Sequence, residues 1–326
     1  MRRRDFITGL GSATVFSIGA SAQQRVLPVI GYLNGTTESA GAHFLRAFRE
    51  GLVELGYVER RNVAIEYYWV DGQYDRLEML AADLTRRRVD VIFAAGGTAP
   101  VRAAKSATTS IPIVFVAGGD PIKNGLVSSF GRPGGNITGA AILTSALTAK
   151  RLELLRELVP AVRSIGFLVN PTNPTGWVEM MEAEMASNAL GIRLKVLNAS
   201  SSSGIDAAFE IISAERIGAL LIGGDPFWTV RRFQLAVLAE RDAVPSICAV
   251  REIVEAGGLM SYGANVSEAY RLAGNYAGRI LNSEKSADLP VQQSTKIEFV
   301  INLRTAKALG LTVPETLLAT ANEMIQ

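Results

Sequence analysis

From residue 27 onward, short apolar runs alternate with segments whose apolar residues recur every three or four positions. The runs at 27–33, 63–69, 89–94 and the one ending at Ala117 read as buried strands. Between the first two, Phe44, Ala47, Phe48, Leu52 and Leu55 fall at helical spacing, with Arg46, Arg49, Glu50 and Glu54 on other faces and a stop at Gly56. That is an amphipathic helix with a glycine end signal. Leu77, Leu80, Ala81 and Leu84 mark a second helix over 74–88, and a shorter one runs through Ala104. Such alternation means right-handed βαβ units and a parallel sheet.

The breaker cluster Phe130-Gly131-Arg132-Pro133-Gly134-Gly135-Asn136 interrupts the pattern. An extended stretch at 137–143 then leads into a helix over 149–159, the best candidate for a crossing between lobes. Beyond it strands at 164–169, 192–197, 219–222, 245–250 and 258–262 alternate with helices at 177–190, at 205–213 and up to residue 242. A helix at 268–281, an extended stretch at 291–303 and a short helical tail complete the chain. Two successive sets of this kind predict an α/β protein of two Rossmann-like lobes, each a parallel sheet flanked by helices.

One tetrapeptide appears at the end of a strand in each set: Gly118-Gly119-Asp120-Pro121 and Gly223-Gly224-Asp225-Pro226. Neither continues a central strand, because proline lacks the ladder N–H and glycine adds no packing. Open α/β sheets bind ligands beyond the carboxyl ends of their strands. Recurrence after the same kind of strand favours two rims of one cleft over ordinary turn chemistry, the other reading of these residues.

At 326 residues two domains are the default. The net charge of +2 equals that of Arg2, Arg3, Arg4 and Asp5 together, so a chain starting near Gln23 is close to neutral and offers nothing to nucleic acid. Arg2-Arg3-Arg4, the modestly apolar 6–20 and Ala20-Ser21-Ala22 form the pattern of an export signal, residues 1–22, cleaved near Ala22. Arg3-Arg4-Asp5-Phe6-Ile7 resembles the core of the twin-arginine type. No cysteine follows to carry a lipid, so the expectation is a periplasmic protein that is not lipid-anchored. The lone Cys248 makes no internal disulfide and reads as buried and inert.

In chain order, Ile30-Gly31-Tyr32-Leu33, Gly51-Leu52-Val53-Glu54-Leu55-Gly56-Tyr57, the first Gly-Gly-Asp-Pro, Arg132-Pro133-Gly134-Gly135-Asn136-Ile137-Thr138-Gly139, Lys150-Arg151-Leu152-Glu153-Leu154-Leu155, Gly257-Gly258-Leu259-Met260-Ser261-Tyr262-Gly263 and Ala306-Lys307-Ala308-Leu309-Gly310-Leu311 span nearly all of the mature chain. In this order the chain resembles the substrate-binding proteins of ABC transporters with the type 1 periplasmic-binding fold, in the branch that includes tryptophan and tyrosine binders. The resemblance implies two lobes closing like a hinge across three crossing strands, here near 139–144, 262–265 and 291–295. Lobe one would be 26–142 plus 263–292, and lobe two 143–262 plus 293–326. It further implies a small polar ligand, an amino acid or another aromatic or carboxylate compound, delivered to an ABC permease in the inner membrane by a monomer. A periplasmic sensory subunit signalling to a membrane receptor is the alternative; a periplasmic enzyme on the same fold ranks below it.

The strand ends divide by chemistry. Gly97 and Thr98 precede a helix, where Thr98 as a cap would leave backbone N–H groups free for a carboxylate. Asp120 and Asp225, with Gly119 beside the first, are candidates for a ligand ammonium or hydroxyl, at most one of the two aspartates contacting ligand charge. Asn34, Asn170 and Asn173 offer both donor and acceptor at other strand ends. Tyr32, Phe227, Trp228 and Tyr262 are aromatics near strand termini, with Phe227 and Tyr262 the site candidates.

Catalytic and cofactor motifs are missing: there is no P-loop, no G-x-S-x-G elbow and no His/Cys set with metal spacing. The only histidine, His43, lies in the first amphipathic helix and reads as a surface or packing residue. The expectation is a binding protein without cofactor, not an enzyme.

Overall fold

The computed structural model describes residues 27–326. The export signal and its twin-arginine motif lie outside the described residues. The first half runs β1 (Val29–Asn34), α1 (Glu38–Glu54), β2 (Ala64–Trp69), α2 (Leu77–Arg87), β3 (Val91–Ala95), α3 (Thr98–Ala107), β4 (Ile113–Ala117) and β5 (Ile137–Ala141). Then come α4 (Thr148–Leu158), β6 (Ser164–Val169), α5 (Gly176–Ala189), β7 (Arg193–Asn198), α6 (Ser202–Glu215), β8 (Ala219–Ile222), α7 (Pro226–Val230) and α8 (Arg232–Arg241). The last part is β9 (Ser246–Cys248), α9 (Arg251–Glu255), β10 (Met260–Ala264), α10 (Val266–Leu281), β11 (Gln292–Gln293), β12 (Ile297–Asn302), α11 (Leu303–Ala308), α12 (Glu315–Thr320) and β13 (Glu323–Ile325).

Two sheets result, ordered β11-β5-β4-β3-β1-β2 and β13-β12-β10-β9-β8-β6-β7. Every pairing is parallel except β10 with β12. Strands β3, β4 and β8 are buried along their whole length, as parallel strands covered on both faces must be. Successive side chains of β3 and β4 serve two different cores: Phe93 and Val114 pack under α1 and α10, while Ile92, Ala94 and Phe115 pack under α2 and α3. In the second sheet Leu220 and Ile222 face α6 to α9, and Ala219 and Leu221 face α4 and α5. Helix α1 begins where Thr37 Oγ1 accepts the Ala40 N–H and turns Phe44, Leu45, Phe48 and Leu52 inward.

The chain passes from one sheet to the other after β5, after β10 and between β11 and β12. Several elements differ from the sequence pattern. The extended 291–303 splits into β11 and β12. The helix ending near 242 breaks at Arg231 into α7 and α8, and the stretch 245–250 yields only the three residues of β9. Helix α9, closed by an Arg251–Glu255 pair at 2.8 Å, is too short for periodicity to reveal. So is β13, whose pairing with β12 is set by distant residues in place of a purely helical tail.

Candidate functional site

The two Gly-Gly-Asp-Pro turns meet around Thr144. Its backbone N–H donates to Gly118 O at 2.8 Å. A Cβ on Gly118 would lie 2.9 Å from Thr144 Oγ1, and one on Gly224 only 2.2 Å from Thr144 Cγ2, so both positions need glycine for close approach. Behind this contact Arg151 of α4 is fully buried: Nη2 donates to Thr144 O (2.8 Å), Nε to Tyr262 O (2.9 Å) and Nη1 to Glu179 Oε1 (2.8 Å). Glu179 Oε2 in turn accepts the Gly224 N–H at 2.7 Å. Burial pulls the Arg151 guanidinium below its ordinary pKa, opposed by the Glu179 charge. The network ties the second turn to Thr144 through Glu179 and Arg151.

The two aspartates have different surroundings. Asp120 Oδ1 accepts the Ile122 and Lys123 N–H groups (2.8 and 3.1 Å), closing its own turn, and the carboxylate does not line the cavity between the lobes. Asp225 lines it and is buried. Its Oδ1 caps α7 through the Phe227 N–H (2.7 Å) and accepts the Tyr74 hydroxyl from the first lobe (3.1 Å); its Oδ2 accepts Asn170 Nδ2 (3.3 Å). Burial raises this carboxyl to about 6, against the lowering by these hydrogen bonds. A buried carboxylate with spare lone pairs is a receptor for a cation.

The cavity, about 80 Å³, lies between the carboxyl ends of the two sheets. On the first lobe it is walled by Thr36, Phe44, Gly97, Thr98, Val116 and Tyr270, and on the second by Asn173, Thr175, Asp225, Trp228, Val250 and Ile253. Phe44 and Tyr270 stack at 4.9 Å and 19°. Gly97 is the N-cap of α3, without a side-chain cap, and Thr98 is the first helical residue, not the cap. The helix therefore turns the positive end of its dipole to the cavity at Thr98, with the N–H groups of Thr98 and Ala99 in its first turn and none on Pro100.

Of the site candidates named from the sequence, Gly97, Thr98, Asn173 and Asp225 line this cavity, together with Trp228, which the sequence marked only as an aromatic near a strand end. Asn173 donates to Gly224 O (3.2 Å) and holds Thr175 through Oδ1. Gly119 stands at the edge, where a Cβ would meet Asn124 and Thr175 at 2.7 Å. Asn34 lies one layer behind: its Nδ2 donates to Tyr32 and Tyr270 (3.2 and 3.1 Å), and its Oδ1 holds Thr36. Asn170 supports Asp225 rather than facing the cavity. Phe227 is buried beside Trp228, and Tyr262 packs edge-on against Phe299 at 6.1 Å, away from the cavity. Phe44, Thr144 and Tyr270 carried no local signal, since each looks like an ordinary helix, turn or core residue in the sequence. His43 is neither a plain surface nor a core residue: its Nε2 lies 2.8 Å from Oε1 of the buried Glu252 on α9, across the cleft.

The model of the family described as "ABC transporter substrate binding protein" matches residues 37–325. A tyrosine-binding protein of Clostridioides difficile is 26% identical over 266 residues, covering 82% of this chain and 76% of that protein. A conserved domain protein of Vibrio cholerae has a crystal structure with TM-score 0.84 at 27% identity, covering 91% of this chain and 99% of that one. An ABC domain from Streptococcus pneumoniae in complex with L-Trp has TM-score 0.81 at 23% identity, covering 91% of this chain and 100% of that one. Both share the fold of two sheets facing one cleft.

Proposed function

The chain belongs to the ABC transporter substrate-binding protein family, and on that premise we propose that its cavity takes one free α-amino acid with an aromatic side chain. The observation that carries the reading is the pairing of opposite charges across one cleft. The uncapped N-terminus of α3 on the first lobe suits a carboxylate, and the buried Asp225 on the second suits an ammonium. Phe44, Tyr270 and Trp228 line the same space and offer flat apolar faces to a ring. The tyrosine-binding relative is in keeping with this choice.

In this reading the lobes close on the ligand, residues 1–22 direct export to the periplasm, and the loaded protein hands its ligand to a membrane permease without chemical change. Thr98, Asn173 and Thr175 orient the head group, while Asn34, Asn170 and Gly119 support those that touch it. The test is a thermal-shift screen of the purified protein against amino acids, arylpropionates, nucleosides and sugars. At about 100 times its dissociation constant a ligand stabilises the protein by roughly 2.7 kcal/mol. An aromatic amino acid should raise the melting temperature; a shift with a sugar and with no amino acid overturns the reading.

A further inference from the structure

We propose that Arg151 and Glu179 are positioning residues for the ligand: they stand outside the cavity and set where the Gly224 backbone, and with it the Asp225 carboxylate, is held. The inference rests on the amino-acid reading of the cavity and adds to it two residues that govern affinity without touching the occupant. Arg151 is fully buried, Glu179 is 4% exposed, and neither lines the cavity. The groups they hold do line it. Glu179 Oε2 accepts the Gly224 N–H at 2.7 Å, and Gly224 O accepts Asn173 Nδ2 at 3.2 Å, so both backbone polar groups of that glycine are fixed. Cβ atoms on Gly223 and Gly224 would lie 3.3 and 3.4 Å from the same Oε2. The carboxylate thus lies against both glycines of the second tetrapeptide. Arg151 for its part donates to Thr144 O, in the passage after β5, and to Tyr262 O, in β10 just ahead of the next passage between sheets. One ion pair therefore joins two of the passages to the turn that carries Asp225.

Stability alone does not account for such a pair. Taking two charges out of water is costly enough that apolar side chains of similar volume often replace a buried ion pair without loss. What apolar side chains lack is direction. A guanidinium donates along fixed directions in one plane, and here Nε, Nη1 and Nη2 each serve a separate segment. Glu179 gives Oε1 to Arg151 and Thr148, at 2.8 and 3.3 Å, and Oε2 to Gly224. These bonds go to backbone and to neighbouring side chains. A carboxylate that is to meet an ammonium must be held within about 0.5 Å of its place. Fixing the residue just before Asp225 is how the pair acts on a ligand through another group.

The test separates position from stability by removing both charges at once. In the whole protein, Arg151→Met combined with Glu179→Met leaves no stranded charge, so the melting temperature should stay within about 5 °C of the parent. Affinity for whichever of L-tyrosine, L-tryptophan and L-phenylalanine binds most tightly should nevertheless fall about tenfold or more. Hydrogen exchange over residues 223–225 should quicken by about tenfold or more. A double variant that melts and binds like the parent overturns the proposal. So does an affinity loss that comes only with a large fall in melting temperature, because the role is then structural. If the double variant does not fold, Arg151→Lys takes its place: one ammonium keeps the charge beside Glu179 but cannot serve three segments. Affinity within about threefold of the parent there also overturns the proposal. If the unaltered protein binds none of the three amino acids, the amino-acid reading is at fault; the pair is then judged on exchange over 223–225, where unchanged protection overturns it.

Discussion

Closure of the empty cleft should be linked to a proton on Asp225. The carboxyl is raised from 3.8 to about 6 by burial, to which closure of the first lobe over it adds and which the hydrogen bond from the Tyr74 hydroxyl partly offsets. A carboxyl whose pKa is raised in the closed state disfavours that state once it ionises. The cost is absent below pH 3.8, grows between 3.8 and 6, and is complete above 6. Two pH units correspond to ~3 kcal/mol at most. Between about pH 7.5 and about pH 5 the closed form of the ligand-free protein should gain about tenfold over the open one. On the proposed reading an ammonium on Asp225 would do at neutral pH what the proton does in acid.

The measurement is the radius of gyration by small-angle scattering at both pH values, with saturating amino acid as the closed reference. His43 also faces Glu252 across the cleft, so the decisive comparison is made in a His43→Gln background. There, compaction at low pH should persist and should vanish when Asp225→Asn is added. The amide should also weaken amino-acid binding by about tenfold to a hundredfold, the worth of a hydrogen bond to a charged group. If the dimensions do not change with pH while the amino acid still compacts the protein, the account of Asp225 is wrong.

Arg151→Met strands the buried Glu179 without its cation and should cost about 3–5 kcal/mol in urea unfolding. Gly224→Ala forces a Cβ to within 2.2 Å of Thr144 Cγ2. It should destabilise by about 1–3 kcal/mol, seen in the melting temperature, and weaken the ligand in calorimetry. Burial pushes the Cys248 thiol up to about 12; an aromatic disulfide reagent should leave it unlabelled in the native protein and label it in denaturant.

The fold was legible because the central strands are buried on both faces and the longer helices carry one apolar stripe, so these elements announce themselves over four or more residues. Elements such as β13 and α9 are shorter than the periods that would identify them. Within the site, the tetrapeptide was legible as a pair of strand ends, but not the different fates of its two copies. The same four residues let Asp120 close a local turn and leave Asp225 capping α7. The chain that follows decides this, a loop in one case and a helix beginning at Pro226 in the other, together with Tyr74, some 151 positions away in sequence. Phe44 and Tyr270 come from α1 and α10, which only tertiary packing brings to one wall.

That packing also bears on what drives closure. The four apolar cores each belong to one sheet and its helices, two per lobe, and none draws buried residues from both sheets. The side-chain bonds that reach across the cleft are polar: Tyr74 to Asp225 at 3.1 Å and His43 to Glu252 at 2.8 Å. Water serves such groups nearly as well as they serve one another, so their net contribution is modest, about 1.5–3 kcal/mol apiece as bonds to charged groups. Burying an ionised Asp225 opposes closure. The lobes therefore have little reason of their own to stay shut, and on the proposed reading a ligand that brings a cation to Asp225 and an aromatic ring to Phe44 and Tyr270 would supply both terms that the cleft lacks by itself. On the proposed reading, closure driven by the occupant rather than by the lobes would let the protein present loaded and empty forms that a partner can tell apart.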